Sequence, residues 1–218
     1  MEVTLVTLSA IRKTRGMIIF MNSTPEGDAP TGRRATTRAR LSHIGLQLFI
    51  EHGFDATTVD EIAAAAGIGR RTFFRYFPSK NDLPWGDFDA LVERMRAALA
   101  AVPETEPMYS ALSRAVLDFN SYPISELGYH RERMQLLMTV PTLVAHSTLR
   151  YESWREVIAE FAARRLGEPA DSLRPRMLGW VYLAASLGAY EQWLQDSGSD
   201  LLDVLGSALD ILSERLTA

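Results

Sequence analysis

The residues best equipped for chemistry stand in one short run, GIGRRTFFRYFPSKNDL, at positions 67–83. Eight consecutive positions, Arg70 to Phe77, hold three arginines and four aromatic rings. A guanidinium keeps its charge and donates in a fixed fork, so it matches phosphate oxygens and the O6/N7 edge of guanine. Placed on a helix, the run separates into two faces. Phe73 and Phe77 are four apart and share the inward side. Arg70 with Phe74, and Arg71 with Arg75, make outward rows, and Thr72 with Tyr76 makes a flanking row. Such an outer face suits the major groove of double-stranded DNA. Arginines address guanine and a ring touches a thymine methyl, while hydroxyls hold phosphates that fix position without reading sequence. Lys80 and the helix start beside it offer a further phosphate anchor, and Thr57 and Thr58 offer one at the start of the preceding helix. Arg33 and Arg34, with Arg38, form a basic arm able to reach a minor groove.

No comparable set of residues supports catalysis. G-x-S-x-G, H-E-x-x-H, G-x-x-x-x-G-K-[ST] and G-x-G-x-x-G are all absent. The cysteine count is zero, which removes thiolate nucleophiles, cysteine-ligated metals and disulfides, and fits a reducing cytoplasm. The histidines His43, His52, His130 and His146 have no zinc spacing, and no Glu-x-x-His pair occurs. No catalytic residue, metal or cofactor is expected. His130 and His146 read as polar core or surface residues.

Charge distribution agrees with a local anionic partner. Residues 33–80 carry eight basic and four acidic side chains, a net +4, so the remainder holds −8 of a chain whose total is −4. The elements that must position the basic face are helical. Leu41, Ile44, Gly45, Leu48 and Phe49 recur at three-four spacing and give a first helix ending at Gly53. Thr58 with Glu61 is a capping box for a second, ending at Gly67. The third covers about 70–77 and stops at Pro78. Ser79 with Asp82 opens a fourth, with Pro84 in its second turn bending it or delaying its regular part. Two short helices joined by a glycine-containing turn, the second cationic, describe a helix-turn-helix.

Further periods are helical over about 108–121, 125–138, 141–166, 173–195 and 201–216, with no alternating strand. The fold class is all-α. Residues 1–32 read as a disordered extension or as chain ahead of a start at Met21. Residues 33–80 form the DNA-binding domain, and 81–218 a larger acidic helical bundle. Nothing is long enough to span a bilayer. The segment 173–195 is apolar nearly all round, with Gly179, Ala184, Ala185, Gly188 and Ala189 permitting close approach. Leu201, Leu205, Leu209 and Leu212 follow in the last helix. Two such helices from each of two copies would make a four-helix bundle, hence an expected homodimer. Candidate ligand-lining residues are Trp85, Phe88, Phe119, Met134, Met138, Trp154 and Phe161, with Arg131 and Arg133 able to pair an anionic group.

At residues 38–83 the chain resembles the TetR family of bacterial transcriptional regulators, through LFxxxGF at 48–54, TTVDEIAAAAGI at 57–68 and TFFRYFPSKNDL at 72–83. The resemblance implies about nine helices, and a repressor that binds a near-palindromic operator as a dimer through its eighth and ninth helices. It also implies an effector cavity in the larger domain. It assigns DNA contacts to Arg70, Arg71, Phe74, Arg75, Tyr76 and Lys80, and phosphate contacts near Thr57 and Thr58. Two departures stand out: Gly69 replaces the usual capping serine, and Arg75 occupies a position often His or Tyr. GRRTFFRYFPSKNDLPWGDFD and HSTLRYESWREVIAEFAARRLG at 146–167 look like the branch of this family associated with mycofactocin biosynthesis genes. An acyl-CoA is the effector this resemblance suggests. The rival reading is an acyl-CoA-binding protein or enzyme without regulatory DNA binding. For the regulator, the Pro84 bend close to Trp85 and Phe88 is the expected lever.

Overall fold

The computed structural model describes residues 37–217, all helix and connecting turn. The N-terminal extension and the arm with Arg33 and Arg34 lie outside the described residues. Helix α1 spans Arg38–His52, capped by the Thr37 hydroxyl, which accepts from the Arg40 amide. Helix α2 spans Val59–Ala65 and α3 spans Arg70–Tyr76. The Thr58–Glu61 capping box is present, with the Glu61 carboxylate accepting the Thr58 amide at 2.7 Å. Gly67 turns the chain between α2 and α3 with φ 67, a left-handed conformation only glycine adopts cheaply.

The expected fourth helix is two elements. Its Ser79–Asp82 capping box opens a 3₁₀ helix over Lys80–Trp85, and Gly86 with φ 53 ends it. Pro84 has no N–H to continue an α ladder, so the regular helix, α4, starts only at Phe88 and runs to Ala100. Then come α5 (Met108–Phe119), α6 (Ile124–Thr139), α7 (Pro141–Leu166), α8 (Leu173–Gln195) and α9 (Leu201–Thr217). None of the described helices is long and apolar enough to cross a membrane.

Helix α7 packs most extensively on α8, and α8 on α9, forming the spine of the larger bundle. Two features expected at a dimer contact serve this chain instead. Leu201, Leu205 and Leu209 are 1%, 0% and 1% exposed within a single copy. A Cβ on Gly179 would lie 2.8 Å from the Arg155 carbonyl, so its smallness admits the α7 backbone. What α8 leaves exposed is a different stripe, Leu173, Met177 and Trp180, whereas on α9 Leu202 and Ile211 are exposed singly, nine residues apart on opposite sides of the helix.

Candidate nucleic-acid interface and effector cavity

Helix α3 is seated by its phenyl pair. Phe73 and Phe77 are both 0% exposed and pack with Ile62 and Leu83 in the core. Burying two such rings contributes on the order of 3–6 kcal/mol before conformational entropy is subtracted. Phe74, one residue on, is 42% exposed. Arg70, Arg71 and Arg75 are exposed with it, while Thr72 and Tyr76 are half-buried at the flank. Arg70 leans on the Phe74 ring at 5.4 Å and pairs with Asp60 at 2.8 Å, both partners exposed. Arg75 lies 5.3 Å over Tyr76. Among the described residues no carboxylate pairs with Arg71 or Arg75. Gly69 caps α3 without a side-chain bond.

Two expected phosphate anchors are turned inward. Lys80 sends its ammonium to the carbonyls of Phe54 (2.8 Å), Thr57 (3.0 Å) and Asp55 (3.4 Å), over the Phe54 ring. The loop between α1 and α2 has carbonyls with no helical partner, and three ammonium hydrogens satisfy them. Thr57 is 1% exposed and donates to Gly53 O at 2.8 Å. Thr58 stays at the surface, with its hydroxyl on Glu61. The Glu61 carboxyl is held below its ordinary value by hydrogen bonds from the Thr58 backbone and hydroxyl.

Contacts from the larger bundle reach the first helix and the 3₁₀ turn. Ser42 of α1 donates to Leu83 O at 2.8 Å, and Tyr129 of α6 donates to His43 O at 2.8 Å, its ring stacked on His43 at 3.5 Å. Asp82, buried, is the hub. One oxygen accepts the Ser79 amide and hydroxyl at 3.0 and 2.7 Å; the other bonds His146 Nε2 at 3.0 Å and the Arg150 guanidinium. Arg150 also reaches Asp89 of α4 at 3.0 Å, so α7, α4 and the 3₁₀ turn meet at one charge cluster. Burial pushes the Asp82 carboxyl up, but bonds from Ser79, Arg150 and His146 outweigh it and hold it below the usual carboxylate range.

A cavity of about 620 Å³ opens beside this hub, walled by α1, the 3₁₀ turn and helices α4 to α8. Of the residues expected to line it, Trp85, Phe88, Phe119, Met134 and Trp154 do. Met138 and Phe161 do not: Phe161 is 1% exposed in the core and Met138 packs against that core. Aromatic edges meet along the wall, Trp85 on Phe88 at 4.9 Å and Phe88 on Phe119 at 5.7 Å. Arg131 is diverted to the carbonyls of Trp193 and Asp196, beyond the cavity, whereas Arg133 lines it.

Of the polar side of the cavity, the sequence marks only Arg133. Asn120, Tyr122, His130, Ser186 and Tyr190 join Arg133 there. His130 Nε2 and Asn120 Oδ1 each lie 2.7 Å from the Tyr190 hydroxyl, and Tyr122 stacks on His130 at 3.9 Å. Burial, with Arg133 nearby, pushes the His130 pKa down to about 3, so the ring is neutral at ordinary pH. Burial likewise raises Tyr190 well above its ordinary value. The one usable signal was the i, i+3 spacing of His130 and Arg133 on the helix that carries Met134. Asn120 and Tyr190 come together only through folding.

Comparison with known proteins agrees with this architecture. Residues 44–83 match the family described as bacterial regulatory proteins, tetR family, and residues 106–217 match the MftR C-terminal domain. A Mycobacterium tuberculosis protein described as the candidate mycofactocin biosynthesis transcriptional regulator MftR is 42% identical over 184 residues, covering 84% of this chain and 93% of its own. The HTH-type transcriptional regulator TcmR of Streptomyces glaucescens is 34% identical over 209 residues, covering 90% and 92%. Among solved structures, the FadR repressor of Thermus thermophilus with lauroyl-CoA superposes with TM-score 0.51 at 23% identity, covering 82% of this chain and 94% of that one. FadR of Bacillus subtilis with stearoyl-CoA gives 0.58 at 16%, covering 81% and 97%. At such identities the likeness to these two is one of fold.

Proposed function

The chain belongs to the TetR family of bacterial regulatory proteins and is a transcriptional regulator, not an enzyme; on that premise we propose that it is a ligand-released homodimeric repressor of mycofactocin-related genes. The observation that carries DNA reading is the outer face of α3. Arg71, Phe74 and Arg75 are exposed, while Phe73 and Phe77 anchor the same helix in the core. Arg71 and Arg75 address bases in the major groove, and Thr72 and Tyr76 address phosphates. Arg70 reads or anchors only after exchanging Asp60 for DNA. Arg33 and Arg34 keep their role as an arm in this reading. A dimer presents two such helices to a near-palindromic operator, about 34 Å apart or slightly more.

The exposed stripe of α8, Trp180 included, supplies the dimer contact, joined by Ile211 of α9. The 42% identity to the mycobacterial regulator supports the mycofactocin assignment and, with it, work on DNA in the cytoplasm. The FadR complexes support an acyl-CoA as effector, its chain among Trp85, Phe88, Phe119 and Trp154.

Release follows from linkage. An effector must bind the DNA-incompetent arrangement more tightly than the competent one. The cavity wall includes Ser42 and His43 of α1, so a bound molecule touches the DNA-binding module directly. The Asp82–Arg150 hub gives α7 a second hold on the 3₁₀ turn. Pro84, buried in the 3₁₀ turn and lining the cavity, remains the proposed hinge.

The test is a gel shift on the gene's own upstream DNA over a salt series. Affinity falls with salt as phosphates are neutralised. Arg71→Ala and Arg75→Ala each lose about 1–3 kcal/mol of operator binding if they read guanine. Unchanged affinity in both variants rejects the groove assignment.

A further inference from the structure

One carboxylate reaches the outer face of α3. Asp60 Oδ2 accepts from Arg70 Nη1 at 2.8 Å, and the two side chains are 67% and 58% exposed. Among the described residues no other carboxylate lies within ion-pair reach of the α3 arginines. Asp60 has no part in capping α2: its neighbour Glu61 accepts the Thr58 amide and hydroxyl, at 2.7 and 2.9 Å. Arg70 also rests over the Phe74 ring at 5.4 Å. Its guanidinium is thus held from two sides before any DNA arrives, and a donor already ordered loses less entropy on binding.

Phosphates and base edges treat this pair differently. A phosphate takes Arg70 from Asp60 and leaves the carboxylate unpaired beside further phosphates, a like-charge contact. A G·C pair offers both side chains a partner. In the major groove guanine presents O6 and N7 as acceptors, and cytosine presents a hydrogen on N4 as a donor. O6 and N4 are bonded to each other within the base pair, about 2.9 Å apart. Arg70 Nη1 and Asp60 Oδ2 are 2.8 Å apart, so the guanidinium and the carboxylate meet the two base groups side by side. Each exchanges the other for a base atom of the matching sense.

Resting on the major-groove reading of α3, we infer that Asp60 is a specificity-determining residue. With Arg70 it reads one G·C pair in each half-site, Asp60 accepting from cytosine N4 while Arg70 donates to guanine. The same carboxylate keeps Arg70 from serving as a phosphate anchor. Both side chains are exposed, so opening the pair costs little. The carboxylate is stranded on background DNA and paired on the right base pair, so it separates operator from background without any added positive charge.

The experiment is selection of sites from a random-sequence duplex pool by the full chain, by Asp60→Ala and by Arg70→Met. Gel shifts on the enriched site and on a scrambled duplex follow. The wild-type protein enriches a near-palindromic site with a G·C pair in each half whose selection weakens in Asp60→Ala and disappears in Arg70→Met, while the other positions persist. Changing that pair to A·T in one half-site weakens wild-type binding about tenfold or more. Asp60→Ala reduces this discrimination at least about fivefold, the worth of one charge-assisted hydrogen bond. On the scrambled duplex Asp60→Ala binds more tightly, and its salt slope steepens by about one per DNA-bound subunit as Arg70 takes a phosphate; Arg70→Met keeps the wild-type slope. An unchanged site preference in Asp60→Ala, or affinity moved by one common factor on every duplex, makes Asp60 a general charge or a structural residue. Either result overturns the inference and leaves the groove reading standing. A wild-type protein that enriches no site overturns both.

Discussion

Replacing Asp82 with Asn tests the hub that ties α7 to the 3₁₀ turn. The carboxylate is 6% exposed and accepts from Ser79, His146 and Arg150. The substitution removes the charge and replaces one acceptor oxygen by an NH₂ group, which must face either the Ser79 amide or the Arg150 guanidinium, a donor against a donor. Removing one partner of a buried ion pair costs about 3–5 kcal/mol. Arg150 keeps Asp89 at 3.0 Å, and that carboxylate is 69% exposed, so part of the loss is recovered. The expected cost is about 2–3 kcal/mol, which lowers the melting temperature by roughly 5–10 °C for a domain of this size. The pH dependence has a definite sign. The folded-state pKa of Asp82 lies below the ordinary 3.8, so its contribution is fully present above that value and is lost as pH falls through the depressed pKa. Scanning calorimetry of both proteins therefore finds a constant gap between pH 5 and 8 that narrows below about pH 4. A gap under about 0.5 kcal/mol at neutral pH, or one that persists undiminished in acid, refutes the hub. Effector titration of operator-bound protein adds a functional reading: the variant requires more effector for half-release.

Three further outcomes follow from contacts within the chain. Lys80→Met lowers thermal stability by about 1–3 kcal/mol because it strands loop carbonyls, yet leaves the salt slope of operator binding unchanged; a slope reduced by about one would restore Lys80 as a phosphate anchor. Gly45→Ala places a Cβ 2.4 Å from a Leu83 methyl, where α1 meets the 3₁₀ turn, and is expected to cost about 1–3 kcal/mol in chemical denaturation. Trp180→Glu, at an exposed position stacked by Arg155 at 3.6 Å, shifts sedimentation from dimer to monomer and weakens operator binding; an unaltered dimer places the contact elsewhere.

Local grammar was enough for the elements. Pro141, Gly167 and the break at Ser197 delimit α7 and α8 at the residues read from the sequence, since a proline cannot continue a preceding ladder and a positive-φ glycine ends one. The two faces of α3 were equally legible, because four-residue spacing alone assigns Phe73 and Phe77 to one side. Capping boxes announced α2 and the 3₁₀ turn, although only the structure showed that Pro84 and Gly86 interrupt the second before α4 begins.

Partnership was a different matter. Periodicity says that Leu201, Leu205 and Leu209 seek apolar company, not whether that company is their own chain or another; folding gave them α5 and α8. Composition marks Lys80 as a cation, but the carbonyls that capture it belong to residues more than twenty positions away. Asn120, His130 and Tyr190 carry no common motif, yet one relay of hydrogens runs through all three. The chain thus specified its helices and its cationic face by short-range rules. Which side chains turn inward, and which polar groups meet in the cavity, was settled by contacts between segments remote in sequence, and these exist only once the helices have packed.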